Sequence, residues 1–367
     1  MLDTNKIAVI SSGNGGQSMA AYLKHAGYHI SLYVREQERV KMFPGDRVFQ
    51  LTGFLEANPV IDCISHRMEE VIQDAHLIMV TTPAQYHHVV ARTMASCLQD
   101  GQIVVLNPGR TFGTYEVKKT LEDESCQASV IIAEAETFIF ACRCARLAEP
   151  IIYGIKSCVK VAAHNPSDTP KVVEALSQLF PGIIKSAKNT LYTSFSNVGV
   201  VFHPLPILLN ITRVEAKEKF QYYIKGISPL VANILERLDK ERIAVAKAYG
   251  ADVLSAYDWM GEHYGSEGET LYERIQNNAA YINIVAPTDI DTRYVFEDML
   301  TGCVPMYYAG KAIGVETPIM NSAILWASTI YETDFFQNGR GENMVNFSEL
   351  LETARKSQDI HMETADC

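Results

Sequence analysis

Apolar and polar residues follow two different patterns along the chain. Up to about residue 188, short β-branched and other apolar runs are separated by turns and by segments whose apolar residues recur three or four positions apart. The runs predict buried strands, and the segments between them predict amphipathic helices. The predicted strands are residues 6–11, 29–34, 75–82, 102–106, 129–134, 151–162 and 182–186. Alternating strands and helices are typical of a doubly wound parallel sheet with right-handed crossovers.

The remainder of the chain has the spacing of helices. Apolar residues recur at intervals of three and four, with charged residues on the other face. Pro229 suits the first turn of a helix that ends at Gly250, and further helices are predicted at 254–264, 271–279 and 322–335. We therefore expect an α/β Rossmann-type dinucleotide-binding domain at residues 1–188. An all-α substrate and catalytic domain is expected at residues 189–367, with the substrate cleft between the two.

A glycine-rich turn follows the first predicted strand. The spacing of Gly13, Gly15 and Ser18 fits GxGxxG/A, with serine in the third place, and residues 17–25 predict the helix that follows. The first glycine permits a tight turn, the second lets a pyrophosphate approach the backbone, and the third place must be small for close helix packing. The free N–H groups and the helix dipole then favour the pyrophosphate. The predicted cofactor-binding residues of this turn are Gly13, Asn14, Gly15, Gly16 and Ser18.

The end of the second predicted strand bears on the choice of cofactor. Arg35 stands where NAD-binding versions of this fold carry an acidic residue, and Arg39 follows on the next helix. Arginine can pair with a 2′-phosphate, which favours NADP. NAD stays open, because Glu36 can reach the ribose and Arg35 can stack on adenine with either cofactor. Thr82 and Pro83, which end the third strand, are also expected beside the cofactor.

Two polar sites stand out in the second half. His203 lies in the apolar run NVGVVFHPLPILLN, and Arg293 and Asp298 lie in TRYVFEDML. A histidine with an orienting carboxylate is suited to proton transfer near neutral pH, and an arginine can grip a carboxylate with two hydrogen bonds. The alternatives are a core histidine with one satisfied hydrogen bond and a salt bridge on a helix surface.

Charge and composition narrow the function classes. The net charge is −11 and basic residues are scattered, so we expect neither nucleic acid nor an anionic membrane as a partner. No apolar run reaches membrane-spanning length and the N-terminus does not have the pattern of a signal peptide. The eight cysteines show no zinc-ligand spacing, so we expect reduced thiols, a cytoplasmic location and no metal site.

Together these segments make the chain resemble the opine dehydrogenase family, of the octopine/nopaline dehydrogenase type. The resemblance rests on GNGGQSMAAYL, VTTPAQYHHVV, NPGRTFG, EAETFIFACR, NVGVVFHP, the helix pair IKGISPLVANILERLDKERIAVAKAYG, and TRYVFEDMLTGCVPM. It implies a nucleotide-binding domain joined to an all-helical domain. It also implies the reductive condensation of an amino acid with a 2-oxo acid such as pyruvate, with NADH or NADPH as reductant.

The resemblance also assigns site residues. The catalytic histidine corresponds to His203, its partner aspartate to Asp298, and the arginine that holds the oxo-acid carboxylate to Arg293. Residues near the amino acid correspond to Glu136 and Cys142, although Glu134 is equally close to the glutamate's place. Arg110 stands where members differ, as a second carboxylate contact or a phosphate contact. A homodimer through the helical domain is a further expectation.

Two other classes remain open from the sequence. A reductase of similar build, acting on a 2-oxo acid or a polyol phosphate without an amine, needs the same histidine or a lysine. A nucleotide-sensing protein on a dehydrogenase fold should lack a working acid–base pair, and the presence of both His203 and Asp298 argues against it.

Overall fold

The structure, a computed structural model, describes residues 3–355. The chain forms two compact units that divide between Thr193 and Ser194, whereas the predicted boundary followed residue 188. The first unit is α/β and the second is helical, as the alternation of strand and helix patterns predicts. Within the described residues no helix is both long and apolar enough to cross a membrane.

The first unit is built around a mostly parallel sheet. Its strands are β1 (Asp3–Ile10), β2 (His29–Tyr33), β3 (Thr52–Gly53), β4 (Cys63–Ser65), β5 (Ala75–Val80), β6 (Ile103–Leu106), β7 (Ile131–Ala135), β8 (Phe140–Arg146), β9 (Glu149–Ile155), β10 (Val159–Ala163) and β11 (Ile184–Ser186). Eight of them pair in the order β11-β10-β7-β6-β5-β1-β2-β4, and β3-β9-β8 form a second, small sheet. The predicted doubly wound fold is confirmed, with one antiparallel step between β7 and β10.

Helices cover both faces of the large sheet. They are α1 (Asn14–His25), α2 (Gln37–Lys41), α3 (Met68–Ile72), α4 (His87–Met94), α5 (Gly113–Asp123), α6 (Thr169–Leu179) and α7 (Thr190–Phe195), the last of which runs across the unit boundary. Strand residues point alternately to the two faces. In β1, Ile7 and Val9 pack in one apolar core, and Ala8 and Ile10 pack in the other. All four are fully buried, which explains the continuous apolar run in the sequence.

The prediction of a single strand at residues 151–162 is wrong. The segment contains most of β9, in the small sheet, and the start of β10, in the large one. β9 pairs antiparallel with β8 as a hairpin that the sequence pattern did not reveal. Apolar continuity shows that a segment is buried, but it does not show which sheet the segment joins.

The order of the strands defines where a nucleotide can bind. From β1 the chain proceeds outward to β2 and β4, and it then returns to β5 on the other side of β1. The loops after β1 and β5 therefore diverge at a topological switch point, where open α/β sheets bind their ligands. The two loops begin side by side, because the Thr81 N–H donates to the Ile10 carbonyl over 3.1 Å.

The glycine turn after β1 lies two residues earlier in register than the sequence prediction. A Cβ on Gly16 would stand 1.8 Å from the Ser11 carbonyl oxygen, so Gly16 is where α1 approaches β1 closely. Assigning the small third place to Ser18 was therefore wrong, although Ser18 is fully buried further along α1. Ser11 takes the first place with a φ of 141°, a backbone conformation that glycine adopts easily.

The second unit consists of helices. They are α8 (Gly199–Phe202), α9 (Pro204–Leu209), α10 (Ile211–Glu215), α11 (Tyr222–Gly226), α12 (Pro229–Ala248), α13 (Ala256–Tyr264), α14 (Leu271–Gln276), α15 (Arg293–Asp298), α16 (Val304–Ile313), α17 (Pro318–Ile330) and α18 (Phe335–Asn338), and residues 347–355 are helical as well. A π-helical turn, Met299–Cys303, joins α15 to α16. The predicted helix start at Pro229 is confirmed, and the Ser228 hydroxyl caps it by accepting from the Val231 N–H.

Candidate active site

A cavity opens beside the glycine turn in the first unit. Its volume is about 360 Å³, which lies within the usual range for ligand pockets. Residues from the loops after β1, β2 and β5 line it, among them Gly13, Arg35, Arg39, Thr82, Pro83 and Tyr86. The Thr82 hydroxyl is buried and has no hydrogen-bond partner within the described residues. The cavity therefore suits the adenosine side of a dinucleotide.

The turn itself has exposed backbone and fixed side chains. Gly13 and Asn14 are exposed at the start of α1, and the Gly13 N–H donates to the Ser11 hydroxyl over 3.1 Å. The Asn14 side chain accepts from the Cys144 N–H of β8 over 3.1 Å. A Cβ on Gly15 would come within 3.0 Å of the Phe138 ring. The turn is thus small, anchored and at the N-terminus of a helix, and it fits a pyrophosphate.

Two arginines lie at the rim of the cavity. Arg35 pairs with its neighbour Glu36 over 2.8 Å, and both side chains are mostly exposed. The hydrogen bond and charge of Arg35 lower the pKa of the Glu36 carboxyl. The Arg39 Nε donates to the Ser12 hydroxyl over 3.1 Å, so Arg39 leans on the glycine turn. Glu36 therefore already accepts a hydrogen bond from the Arg35 guanidinium.

The sequence left open whether Glu134 or Glu136 corresponds to the family's substrate-binding glutamate. The two side chains have different surroundings in the structure. Glu134 is fully buried, and its carboxylate accepts from the Thr114 N–H at the start of α5 and from the Thr193 hydroxyl. A Cβ on Gly109 would stand 2.4 Å from Glu134 Oε2, so the loop after β6 closes over it. Glu136 is half-buried, and its Oε1 accepts from the Lys160 N–H over 3.0 Å. Glu134 holds the fold together, whereas Glu136 retains exposure.

The two other residues assigned to substrate also lie in the first unit. Cys142 is half-buried on β8; burial raises the pKa of its thiol, and the neighbouring Ser18 hydroxyl opposes the rise. A neutral thiol therefore prevails near pH 7, which suits contact with substrate rather than nucleophilic attack. Arg110 is half-buried in the loop after β6, with a φ of 57°.

His203 and Asp298 form a hydrogen-bonded pair in the second unit. The His203 Nδ1 lies 2.8 Å from Asp298 Oδ2, and the Asp298 side chain is only 2% exposed. An ionised carboxylate can only accept, so Nδ1 carries the proton and Nε2 has its lone pair free to accept one. The His203 side chain is 20% exposed, which leaves it accessible. A core histidine with one satisfied hydrogen bond would show the same contact to Asp298, so the exposure of the His203 ring is the observation that favours a functional group.

Local backbone structure brings this pair together. His203 lies between α8 and α9, where Pro204 starts the second helix, and its N–H donates to the Gly199 carbonyl. Asp298 is the last residue of α15, directly before the π-helical turn. A Cβ on Gly302 would stand 2.4 Å from Val200 Cγ1, so a glycine in the turn lets α8 pack closely. Turns of this π type occur frequently at functional sites.

Aromatic side chains that the sequence did not single out hold the histidine. The Tyr294 ring stacks on the His203 ring with 4.3 Å between centroids and 4° between planes. The buried Tyr222 hydroxyl lies 2.8 Å from the His203 carbonyl oxygen and bonds to it. Tyr294 follows Arg293 directly and stands one helical turn before Asp298, a spacing that could have revealed it.

Arg293 does not pair with Asp298, as a surface salt bridge would require. Its Nε donates to Glu297 Oε2 over 2.9 Å, and its Nη2 donates to the same oxygen. The Arg293 side chain is 65% exposed, whereas that of Glu297 is 2% exposed. Glu297 was not predicted, although its i,i+4 spacing from Arg293 is a recognisable signal.

A dinucleotide cradle and a carboxylate-oriented histidine are features of nicotinamide-dependent dehydrogenases. A model of the NAD/NADP octopine/nopaline dehydrogenase α-helical domain matches residues 186–331. A model of the NAD-dependent glycerol-3-phosphate dehydrogenase N-terminus matches residues 6–150. An opine dehydrogenase of Arthrobacter sp. (strain 1C) is 34% identical over 97% of this chain and 99% of its own length. The chain therefore belongs to the opine dehydrogenase family, NAD(P)-dependent oxidoreductases that act on the CH–NH group.

Solved structures show the same fold. Octopine dehydrogenase in complex with NADH and agmatine superimposes with a TM-score of 0.81 at 21% identity, over 94% of this chain and 97% of that one. Yersinopine dehydrogenase with NADP⁺ bound gives a TM-score of 0.74 at 12% identity, over 96% and 97%. Both kinds of nicotinamide dinucleotide are therefore found on this fold.

We expect Gly302→Ala to lower turnover by about tenfold or more, because small displacements of catalytic groups are costly. The added methyl would collide with Val200 and push α8, with His203, away from Asp298. Steady-state rates of reduced-cofactor oxidation measure this. The double variant Val200→Ala/Gly302→Ala removes the colliding methyl and should recover most of the lost activity. Wild-type turnover in Gly302→Ala would contradict the close packing.

Proposed function

We propose that this protein condenses an amino acid with a 2-oxo acid such as pyruvate and reduces the product to an N-(carboxyalkyl) amino acid. The observation that carries the proposal is the His203–Asp298 hydrogen bond, together with an exposed arginine on the same short helix as the aspartate. We assign dinucleotide binding to the residues up to about 188. We assign the catalytic groups to the helical remainder of the chain. The overall reaction consumes both substrates, NAD(P)H and one proton, and it releases water and NAD(P)⁺.

His203 is assigned the proton transfers of this reaction. The unprotonated amine attacks the ketone carbon of the oxo acid, and the resulting carbinolamine must lose its hydroxyl as water. His203 Nε2 accepts a proton from the attacking nitrogen and passes it to the oxygen. The oxygen takes a second proton, the one that the overall reaction consumes, and leaves as water, so that a C=N iminium remains. Asp298 holds the ring in the tautomer that permits this and stabilises the imidazolium that forms. The stacked Tyr294 ring restricts the imidazole to one plane.

Arg293 is assigned to bind the carboxylate of the 2-oxo acid. Its guanidinium is largely exposed and can make two parallel hydrogen bonds to a carboxylate. Fixing the carboxylate fixes the neighbouring carbon that becomes the imine. The bound nicotinamide supplies the hydride that reduces this carbon, and positioning contributes a large part of such rate enhancements.

Glu136, Cys142 and Arg110 are assigned to the amino acid or to a second carboxylate. Glu136 and Cys142 are both half-buried in the first unit, whereas Glu134 is fully buried and accepts from the start of α5. The raised pKa of the Cys142 thiol supports a neutral contact to substrate. These assignments follow the resemblance to the family.

A cytoplasmic location and a homodimer through the helical unit are further proposals. Within the described residues Cys63, Cys97, Cys126, Cys142, Cys144, Cys158 and Cys303 are free thiols, which supports a reducing compartment. Leu325 and Trp326 on α17 are 51% and 55% exposed, which supports an interface on that helix. Sedimentation velocity measures the assembly state.

The function itself is tested by a substrate screen. We expect NADPH or NADH oxidation only when a 2-oxo acid and an amino acid are both present, with the product identified by mass spectrometry. Each of pyruvate, oxaloacetate and 2-oxoglutarate is tested alone and with a mixture of the twenty amino acids. Equal rates with the oxo acid alone would instead identify a simple oxo-acid reductase. No oxidation in any combination would contradict both reactions.

We expect His203→Ala and Asp298→Ala each to reduce kcat by about 10² or more, the range for general acid–base groups. Fluorescence titration should show that NADPH binding survives, because the His203–Asp298 dyad belongs to the helical unit and the glycine turn to the first unit. His263→Ala is the matched control, since His263 is an exposed histidine of the helical unit. Near-wild-type turnover in either dyad variant would remove the pair from catalysis.

NADPH is expected to have the higher kcat/KM, because Arg35 and Arg39 can both reach a 2′-phosphate at the cavity rim. Arg35→Ala should reduce the NADPH-to-NADH ratio by about tenfold or more, the size expected for charge-assisted hydrogen bonds. Glu36→Gln should raise the same ratio, since it frees Arg35 from its present partner. A wild-type preference for NADH that neither variant alters would contradict the phosphate assignment.

A further inference from the structure

Arg293 is held by a carboxylate on one edge only. Glu297 Oε2 accepts from both Nε and Nη2, one helical turn further along α15. A guanidinium has five N–H donors in one plane, so this grip uses the Nε edge of the group. The two N–H groups of Nη1 and the second one of Nη2 remain. The described residues offer no acceptor to Nη1, and the Arg293 side chain is 65% exposed.

We propose that Glu297 is a positioning residue, which presents the Nη1–Nη2 end of Arg293 to the carboxylate of the 2-oxo acid. The inference rests on the proposed function, because it assumes that Arg293 receives that carboxylate. It adds that Glu297 determines the direction from which the substrate carboxylate approaches Arg293. The Glu297 carboxylate binds the Nε edge of the guanidinium, and the substrate carboxylate binds the Nη1–Nη2 end. Both grips can exist together, because they use different N–H groups.

Burial makes Glu297 the fixed member of the pair. Its side chain is 2% exposed, and the Thr301 hydroxyl donates to its backbone carbonyl at the π-helical turn. A long arginine side chain in solvent loses considerable conformational freedom when it binds a ligand. A buried carboxylate one turn away restricts this freedom in advance. Orientation before binding lowers the cost of binding. Once the substrate carboxylate has closed on Arg293, the two hydrogen bonds themselves fix the reacting carbon, so the chemical step depends little on Glu297.

The contrasting explanation is a helix-stabilising i,i+4 ion pair with no role in substrate binding. The two explanations differ in what removal of Glu297 does. Because Arg293 is exposed, its guanidinium stays hydrated in Glu297→Gln, and the ion pair itself contributes only modestly to the helix. A structural role would therefore alter the unfolding temperature and leave the KM for the oxo acid as it was.

The experiment is a double-mutant cycle on Glu297 and Arg293, with pyruvate varied against a saturating mixture of the twenty amino acids and NADPH. We expect Glu297→Gln to raise the KM for pyruvate about fivefold and to leave kcat within about twofold, the pattern of lost binding rather than lost chemistry. In an Arg293→Gln background the same substitution should have no further effect on KM. Glu297→Met provides a second, apolar replacement of similar length for the buried side chain.

Glu218→Gln is the matched control. Glu218 accepts from both Nε and Nη2 of Arg213 in the same helical unit, outside the dyad. It should leave the KM for pyruvate unchanged. The proposal is overturned if Arg293→Gln raises the KM while Glu297→Gln and Glu297→Met do not, or if the Glu297 effect persists in full without Arg293. If Arg293→Gln itself leaves the KM unchanged, the assignment of Arg293 under the proposed function fails as well.

Discussion

A buried carboxylate must accept hydrogen bonds or pair with a cation, because it has lost its contacts with water. In this protein that requirement connects segments that are separate in the sequence. Glu134, fully buried in the sheet, binds the start of α5 and Thr193. Asp239 accepts from Arg242 and from the Ala256 N–H, so it fastens the long helix α12 to α13. Asp298 is met by His203. In each case a carboxylate that could not be buried alone fixes two segments distant in the sequence.

The same constraint explains why two acidic residues stand side by side at the end of α15. Successive helix positions point about 100° apart, so Glu297 and Asp298 address different neighbours. One holds Arg293 and the other holds His203, and both carboxylates are almost completely buried. A single short helix therefore orients the cation that is assigned to the substrate and the group that is assigned to proton transfer. The π-helical turn that follows carries Gly302, which lets α8 approach with its histidine.

Much of this could be predicted from the sequence, because burial leaves a periodic pattern. The central strands, the start of α12 at Pro229 and the fold class are confirmed. The register of the glycine turn was not predicted, because Ser11 occupies a backbone position that a search for glycines assigns to glycine. The sorting of residues 151–162 between two sheets depends on contacts between distant segments, which local spacing does not encode. The partner of Arg293 does follow from local spacing, because Glu297 stands at i,i+4, and it was overlooked in favour of the neighbouring Asp298.

The two proposed determinants of activity differ in how firmly the protein fixes them. Asp298 is buried, so solvent screens its bond to His203 only weakly and the imidazole keeps one orientation. Arg35 and Glu36 are mostly exposed and pair across a single peptide bond, where water and salt weaken the attraction. Substitution at the dyad must therefore disturb packed structure, whereas substitution at the rim of the cavity changes little besides charge. On this fold, cofactor preference can change while the proton-transfer geometry is retained, because the two depend on side chains of opposite exposure.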